Sequence, residues 1–227
     1  MSKINIAIDG FSSCGKGTLA KYMAQQLGYQ FIDSGAMYRG ITLRVLEREI
    51  DINDHEAITA MAAELEFEFK INHGNGRFEL YLNEENVEGK IRNLHVSNSV
   101  SEVAAISGVR RQLVLAQQAI GQNKGVVMDG RDIGTVVFPD AELKIFMTAK
   151  PEVRALRRFE ELNSAGHEVN MDEVLANLKK RDHIDTHRED SPLYLADDYK
   201  VLDNSDLTRE EQNSIAMRWV RETLKKS

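Results

Sequence analysis

The sequence predicts an α/β fold in which a parallel sheet lies between layers of helices, and three observations lead there. Short continuous apolar runs, the mark of strands buried on both faces, recur at 4–8, 29–32, 125–128, 143–147 and 199–202. Helical patterns separate them at Lys16 to Leu27, Val100 to Gln122, Pro151 to Leu162 and Thr208 to Leu224. The junction between the first strand and the first helix reads Gly10-Phe11-Ser12-Ser13-Cys14-Gly15-Lys16-Gly17-Thr18. Glycines at both ends of that stretch let the backbone curl so that several N–H groups converge on phosphate oxygens. Lys16 neutralises charge, and the helix that follows adds its positive end. A nucleoside triphosphate is the ligand this loop predicts.

The remaining elements follow in chain order. The second strand, 29–32, leads into Asp33-Ser34-Gly35-Ala36-Met37-Tyr38-Arg39. At Leu65 the rhythm changes: Leu65, Phe67, Phe69 and Ile71 alternate with Glu66, Glu68, Lys70 and Asn72, which predicts a half-buried strand. His73-Gly74-Asn75-Gly76 then supplies a turn, and Phe78, Leu80 and Leu82 predict the returning strand of an antiparallel hairpin in a small inserted lobe. Asn170-Met171-Asp172-Glu173 has the spacing of a helix start, for a helix running through Lys180 toward His187. The three prolines, Pro139, Pro151 and Pro192, fall at junctions.

Composition narrows the function classes. A chain of 227 residues with 42% hydrophobic content buries one substantial core. A net charge of -7 argues against a broad electrostatic grip on a nucleic-acid polymer. One cysteine, Cys14, excludes an intrachain disulfide, and no Cys/His spacing matches a zinc site, so any metal is expected to arrive with the nucleotide. No apolar stretch approaches the roughly 20 residues that span a bilayer, and Met1-Ser2-Lys3 enters a strand without a signal-like segment. A cytoplasmic chain with no membrane partner is the expectation, and no apolar stripe argues against a monomer.

Three further constellations bear on a second ligand. Asp33 to Arg39 falls at the carboxyl end of a strand, where ligands of open α/β sheets gather; it reads either as a phosphate clamp through Arg39 or as a plain Asp-Ser-Gly turn. Asp129 ends an apolar strand and is similar to a Walker B carboxylate, with Arg131 and Asp132 directed toward the crevice that holds Lys16. Arg181, Asp185 and Arg188, spaced four and three apart, share a helical face, as either a ligand set or a solvated ladder of ion pairs. In the phosphate loop, Gly17 separates Lys16 from Thr18, a variant common in small-molecule kinases that phosphorylate nucleotides.

Together, Gly10 to Thr18, Asp33 to Arg39, Ser101 with Val103 to Arg110, the run Asp129-Gly130-Arg131-Asp132-Ile133-Gly134-Thr135-Val136-Val137-Phe138-Pro139, and the Arg181/Asp185/Arg188 set closely resemble the bacterial cytidylate kinases over nearly the whole chain. The resemblance implies a P-loop kinase core with a five-stranded parallel sheet at about 1–38, 108–150 and 195–227. It also implies an inserted antiparallel lobe for the nucleoside monophosphate at about 39–107, with its hairpin at 65–88, and a helical lid at about 151–190. The implied activity moves the γ-phosphoryl group of ATP to CMP or dCMP, with ATP as co-substrate and Mg2+ beside it.

By the same resemblance, Lys16 and the loop from Gly10 to Thr18 hold the ATP phosphates, while Thr18 and Asp129 organise Mg2+. Arg39, Arg131 and Arg188 clamp the acceptor phosphate, with Ser34 and Tyr38 beside it. Asp132, Arg110 and Ser101 match cytosine contacts, and Arg181 and Asp185 match sugar contacts. Of the lid arginines, Arg157 is expected to reach the transferring phosphate, so that Lys16, Arg131, Arg157 and Arg188 form the catalytic set; Arg154 and Arg158 are equally consistent with a solvated basic face paired to Glu160 and Glu161. Two positions depart from the family, which usually has proline at Phe11 and a small residue at Cys14. A loop less firmly locked at Phe11, and a thiol at Cys14 whose modification blocks the triphosphate, are the corresponding expectations.

Overall fold

The computed structural model describes residues 3–225 apart from 73, 75, 76, 165 and 167. The chain begins β1 (Asn5–Gly10), α1 (Lys16–Leu27), β2 (Gln30–Asp33), α2 (Ser34–Glu47) and α3 (His55–Ala62). The hairpin segment follows as β3 (Phe67–Asn72), β4 (Arg77–Leu82) and β5 (Glu85–Asn86), then α4 (Leu94–Val103) and α5 (Ser107–Gly121). The chain closes with β6 (Val126–Gly130), β7 (Leu143–Thr148), α6 (Pro151–Ser164), α7 (Met171–His187), β8 (Lys200–Asp203) and α8 (Arg209–Leu224).

Five parallel strands run in the order β2-β6-β1-β7-β8. β1 and β6 are buried along their whole length because helices cover both faces, which is why apolar residues dominate them. Ile4, Ile6 and Ile8 pack with Leu19 and Met23 of α1 and Ala216 and Val220 of α8; Ala7, Ile32 and Met128 face the other layer with Ile133 and Phe138. Asp33 and Asp129 are register partners, so the carboxyl ends of β2 and β6 meet beside the end of β1. Gly10 leaves β1 at φ 144°, and a Cβ there would lie 2.0 Å from the Met147 carbonyl oxygen, so only glycine opens the phosphate loop at that point.

The antiparallel sheet has the order β3-β4-β5, with Phe69 opposite Leu80 and Phe67 opposite Leu82. β5 is a third strand that the alternation did not reveal, and Leu65 is buried but lies two residues before β3 rather than in it. Residues 73, 75 and 76 of the expected His73–Gly76 turn lie outside the described residues. Leu80 and Leu82 pack with Val87, Ile91 and Val96 against Ala36 and Leu43 of α2, which fixes the small sheet beside the cleft.

The single helix expected over 100–122 is two helices, broken between Val103 and Ser107. Ile106 takes an extended backbone at the break, and Arg110 donates to the Ala104 carbonyl at 3.0 Å, satisfying an oxygen that the interrupted helix leaves open. Apolar residues on both sides of the break, Val103, Ile106 and Val109, enter one core with Ile58 and Met61, so hydrophobic periodicity alone runs straight across it. α6 and α7 form a hairpin sealed by Ala155, Leu162, Val174 and Leu178. Asn170 caps α7 by accepting from the Asp172 N–H, and Thr208 with Glu211 forms a capping box on α8.

Candidate active site

The carboxyl ends of β1, β2 and β6 open into a cleft of about 360 Å³, within the range of small-ligand sites. Its floor is the phosphate loop. Ser13 and Gly15 take positive φ of 59° and 91°, curling the chain so that α1 starts at Lys16. The Lys16 ammonium is buried and donates to the carbonyls of Gly10 at 2.9 Å and Phe11 at 2.6 Å. Burial and the neighbouring Arg131 guanidinium pull its pKa down, a crowding of cations that an anion would relieve.

The two unusual loop residues are accounted for by packing. Phe11 meets Phe146 edge-on, with centroids 5.9 Å apart at 89°, and lies under the Arg154 guanidinium at 5.1 Å. Ring contacts therefore hold the loop at this position. The Cys14 thiol does not sit among the loop N–H groups as expected: it is fully buried with Leu19 and Ile6 in the core beneath the loop and donates to the Phe11 carbonyl at 3.0 Å.

Asp129 stands behind the loop with Gly17 nearby, since a Cβ on Gly17 would lie 3.8 Å from Asp129 Oδ2; Thr18 lines the same cleft. Its Oδ1 is buried with no hydrogen-bond partner among the described residues. Burial, followed by the Asp33 carboxylate, pushes the Asp129 carboxyl up to about 7, against the pull of Lys16 and Arg131. A buried, partnerless carboxylate oxygen of this kind suits a hard divalent cation.

On the opposite wall, Asp132 is held between two arginines. Arg110 Nη2 donates to its Oδ2, and Arg188 Nη2 to its Oδ1 at 3.4 Å, with both arginine side chains 3% exposed. Arg110 also lies 5.4 Å from the Tyr38 ring centre, and the Arg110 Nε and the Tyr38 hydroxyl, both buried in cleft-lining residues, have no partner among the described residues. Burial pushes that hydroxyl up to about 12. Arg131 bridges the two sides, donating to Ser12 Oγ at 2.8 Å and to Asp185 Oδ2 at 2.7 Å. Burial alone would raise the Asp185 carboxyl, but Arg131, Arg188 and Arg181 outweigh it and hold it below the usual range. Arg181 reaches Ser101 Oγ at 3.3 Å, Arg39 reaches Ser97 Oγ at 2.9 Å, and Ser34 Oγ donates to the Asp129 carbonyl at 2.7 Å. Burial pulls Arg39 down to about 10, and burial with Arg39 and Arg131 nearby pulls Arg181 down to about 9.

The cleft thus gathers the acceptor-side residues singled out from the sequence: Ser34, Tyr38, Arg39, Ser101, Arg110, Arg131, Asp132, Arg181, Asp185 and Arg188 all line it with Lys16. Arg157 does not line it. Its guanidinium donates to Asn204 Oδ1 and to the Asn204 carbonyl, each at 3.0 Å, while Asn204 Nδ2 donates to the Cys14 carbonyl at 2.8 Å. Arg157 therefore braces the back of the phosphate loop through Asn204. Its neighbour Arg158 faces the cleft, paired with Glu161 at 2.9 Å and 3.4 Å from Ser97 Oγ. Arg154 is buried rather than solvated, donating to Asp182 Oδ2 at 2.6 Å and to the Ser12 carbonyl at 3.2 Å. Sequence reasoning missed Arg92, which comes from the inserted lobe to pair with Asp33 at 3.0 Å in the cleft wall. Its only local signal is Glu88 four residues earlier, which points to an ordinary helix pair rather than to a site.

A phosphate loop faced across one cleft by a second arginine-lined pocket, with an inserted sheet on one side and a helical hairpin on the other, defines a P-loop kinase acting on a small phosphorylated acceptor. A family model for cytidylate kinase matches residues 6–222, and the chain belongs to the cytidylate kinase family. It is 57% identical over 220 residues to the cytidylate kinase of Flavobacterium psychrophilum, covering 96% of this chain and 97% of that one. It is 55% identical over 215 residues to the cytidylate kinase of Bacteroides thetaiotaomicron, covering 93% and 94%. The fold alone is shared with an uncharacterized protein from Eubacterium ventriosum, at a TM-score of 0.55 and 10% identity over 97% of this chain and 99% of that one. Among the described residues no helix is long and apolar enough to cross a membrane.

Proposed function

We propose that this chain is an ATP-dependent kinase that transfers the γ-phosphoryl group of ATP to CMP or dCMP, releasing ADP and CDP or dCDP. The observation that carries the reading is Asp132, a carboxylate 4% exposed, held between Arg110 and Arg188 in the same cleft as Lys16. The acceptor atom in this reaction is a phosphate oxygen, already ionised at neutral pH, so no side chain has to remove a proton. The chain's task is to bring two polyanions into line and to stabilise charge spreading over the transferred group.

Lys16 and the loop N–H groups take the donor phosphates. Lys16 must release the Gly10 and Phe11 carbonyls to reach them, and the ligand charge compensates both contacts. Arg39, Arg131 and Arg188 take the acceptor phosphate, with Arg158 the lid arginine placed to join them. Arginine suits this work because its planar fork binds phosphate oxygens in pairs and stays charged when water is excluded. Asp185 and Arg181 take the sugar. Thr18 and the unpartnered Asp129 oxygen would hold Mg2+, which supplies charge neutralisation at the donor phosphates when bound.

Base choice follows from hydrogen-bond polarity. Cytosine turns its N4 amino donor toward Asp132 and offers ring acceptors to Arg110, whereas uracil would set O4 against the carboxylate. ADP formation from MgATP, measured with CMP, dCMP, UMP, AMP and GMP offered singly, tests the assignment; equal rates with CMP and AMP would refute it.

A further inference from the structure

The fully buried Asp9, at the end of β1, takes no part in the chemistry above yet has three donors. Its Oδ1 accepts from the Ile133 N–H at 2.8 Å, and its Oδ2 from the Gly134 N–H at 2.8 Å and the Tyr199 hydroxyl at 2.6 Å. Those two N–H groups belong to the residues that directly follow Asp132 and open a π-helical turn, Ile133–Val137. The turn closes on the Asp132 carbonyl through the N–H groups of Val136 at 2.9 Å and Val137 at 3.2 Å. Asp132 itself sits at φ -143°, ψ 24°, outside the regular wells, and caps nothing with its side chain. The space beside Gly134 is filled: a Cβ there would lie 2.5 Å from the Tyr199 oxygen, so glycine is what lets the tyrosine close over the carboxylate. Burial pushes the Asp9 carboxyl up, and the two backbone donors and Tyr199 offset only part of that rise.

From this geometry we infer that Asp9, with Tyr199, is a positioning residue for base selection: it clamps the backbone just beyond Asp132 and so fixes the carboxylate against the pyrimidine. The inference rests on the assignment of Asp132 to the base. A recognition carboxylate works within about half an ångström of its productive position, and Arg110 and Arg188, themselves anchored on the Ala104 and Ser191 carbonyls, hold its oxygens once the backbone has placed it. The clamp ties the backbone beyond Asp132 to β1 in the centre of the sheet, one residue before the phosphate loop begins at Gly10, while the end of β6 holds it from the other side.

The test compares Asp9→Asn, Tyr199→Phe and Asp132→Ala with the parent chain in kcat/KM for CMP and UMP, KM for ATP and cooperative urea unfolding. Asp9→Asn turns an amide N–H toward one backbone N–H, and Tyr199→Phe removes one donor at almost constant shape. The expected result is a fall in the CMP/UMP ratio of about tenfold in Asp9→Asn and about threefold in Tyr199→Phe, with KM for ATP within about twofold of the parent. Tyr199→Phe decides the matter if Asp9→Asn does not fold. A CMP/UMP ratio unchanged in the folded clamp variants, while Asp132→Ala abolishes it, overturns the inference and leaves the base assignment standing. A ratio unchanged in Asp132→Ala overturns both.

Discussion

Replacing Asp132 by alanine separates two effects that the structure predicts with different sizes. In the free protein the change takes the Asp132 carboxylate from the buried Arg110 and Arg188, of which Arg188 keeps Asp185 at 3.7 Å. Removing one side of a buried ion pair costs about 3–5 kcal/mol. Here the low end applies, since Arg110 keeps the Ala104 carbonyl and Arg188 keeps the Ser191 carbonyl at 2.6 Å. A loss of about 3 kcal/mol is a large part of a typical domain stability of about 5–15 kcal/mol, but leaves the chain folded. In the complex the cytosine amino group loses a charged acceptor, worth about 1.5–3 kcal/mol, or roughly ten- to a hundredfold in kcat/KM for CMP. UMP loses nothing of the kind, so the CMP/UMP ratio collapses. Urea unfolding and paired steady-state kinetics on CMP and UMP measure both. A folded variant with its ratio intact, or one whose stability falls by less than about 1 kcal/mol, would show that the Arg110–Asp132–Arg188 arrangement does not act as described.

Arg188→Met should lower kcat for CMP by about a hundredfold or more through lost charge stabilisation, and a change confined to KM would argue for ground-state binding only. Asp129, pushed up to about 7, binds its proton more tightly in the folded than in the unfolded chain. Its contribution to the stability of the free protein is therefore full below about 4 and is lost as pH rises through about 7, so Asp129→Asn should lessen the decline seen between those pH values in thermal melts; an unaltered decline contradicts the raised carboxyl. The buried Cys14 thiol should resist thiol reagents in the native chain and react on unfolding, whereas rapid stoichiometric labelling without loss of structure would place it at the surface.

Strands buried on both faces were legible in the sequence because apolar residues dominate such positions; 143–147 and 125–128 fall within one or two residues of β7 and β6. The phosphate loop was equally legible, since its glycines answer a backbone demand that no other residue meets. What stayed hidden depends on distance in the chain. The break between α4 and α5 is invisible to periodicity because both flanks face one core, and the arginine that supports it, Arg110, is recognisable only through its contact with Ala104. Arg157 and Arg158 are adjacent on α6 and alike in sequence, yet one meets Asn204 and the other the cleft, a difference set by how α6 lies against the β8–α8 junction. Arg92 enters the cleft wall because the β3-β4-β5 sheet packs on α2, and no pattern near residue 92 carries that information. Asp9 reads simply as the polar end of a strand until Ile133, Gly134 and Tyr199 are seen to converge on it.

Stoichiometric ADP release in the presence of MgATP, followed with and without each nucleoside monophosphate, tests most directly whether two anionic nucleotides meet in this cleft. Release that depends on CMP or dCMP, exceeds that with UMP by about a hundredfold and falls away with AMP or GMP is the predicted result. ADP release that proceeds at the same rate without any acceptor would mean that the arginine-lined pocket is not a second substrate site.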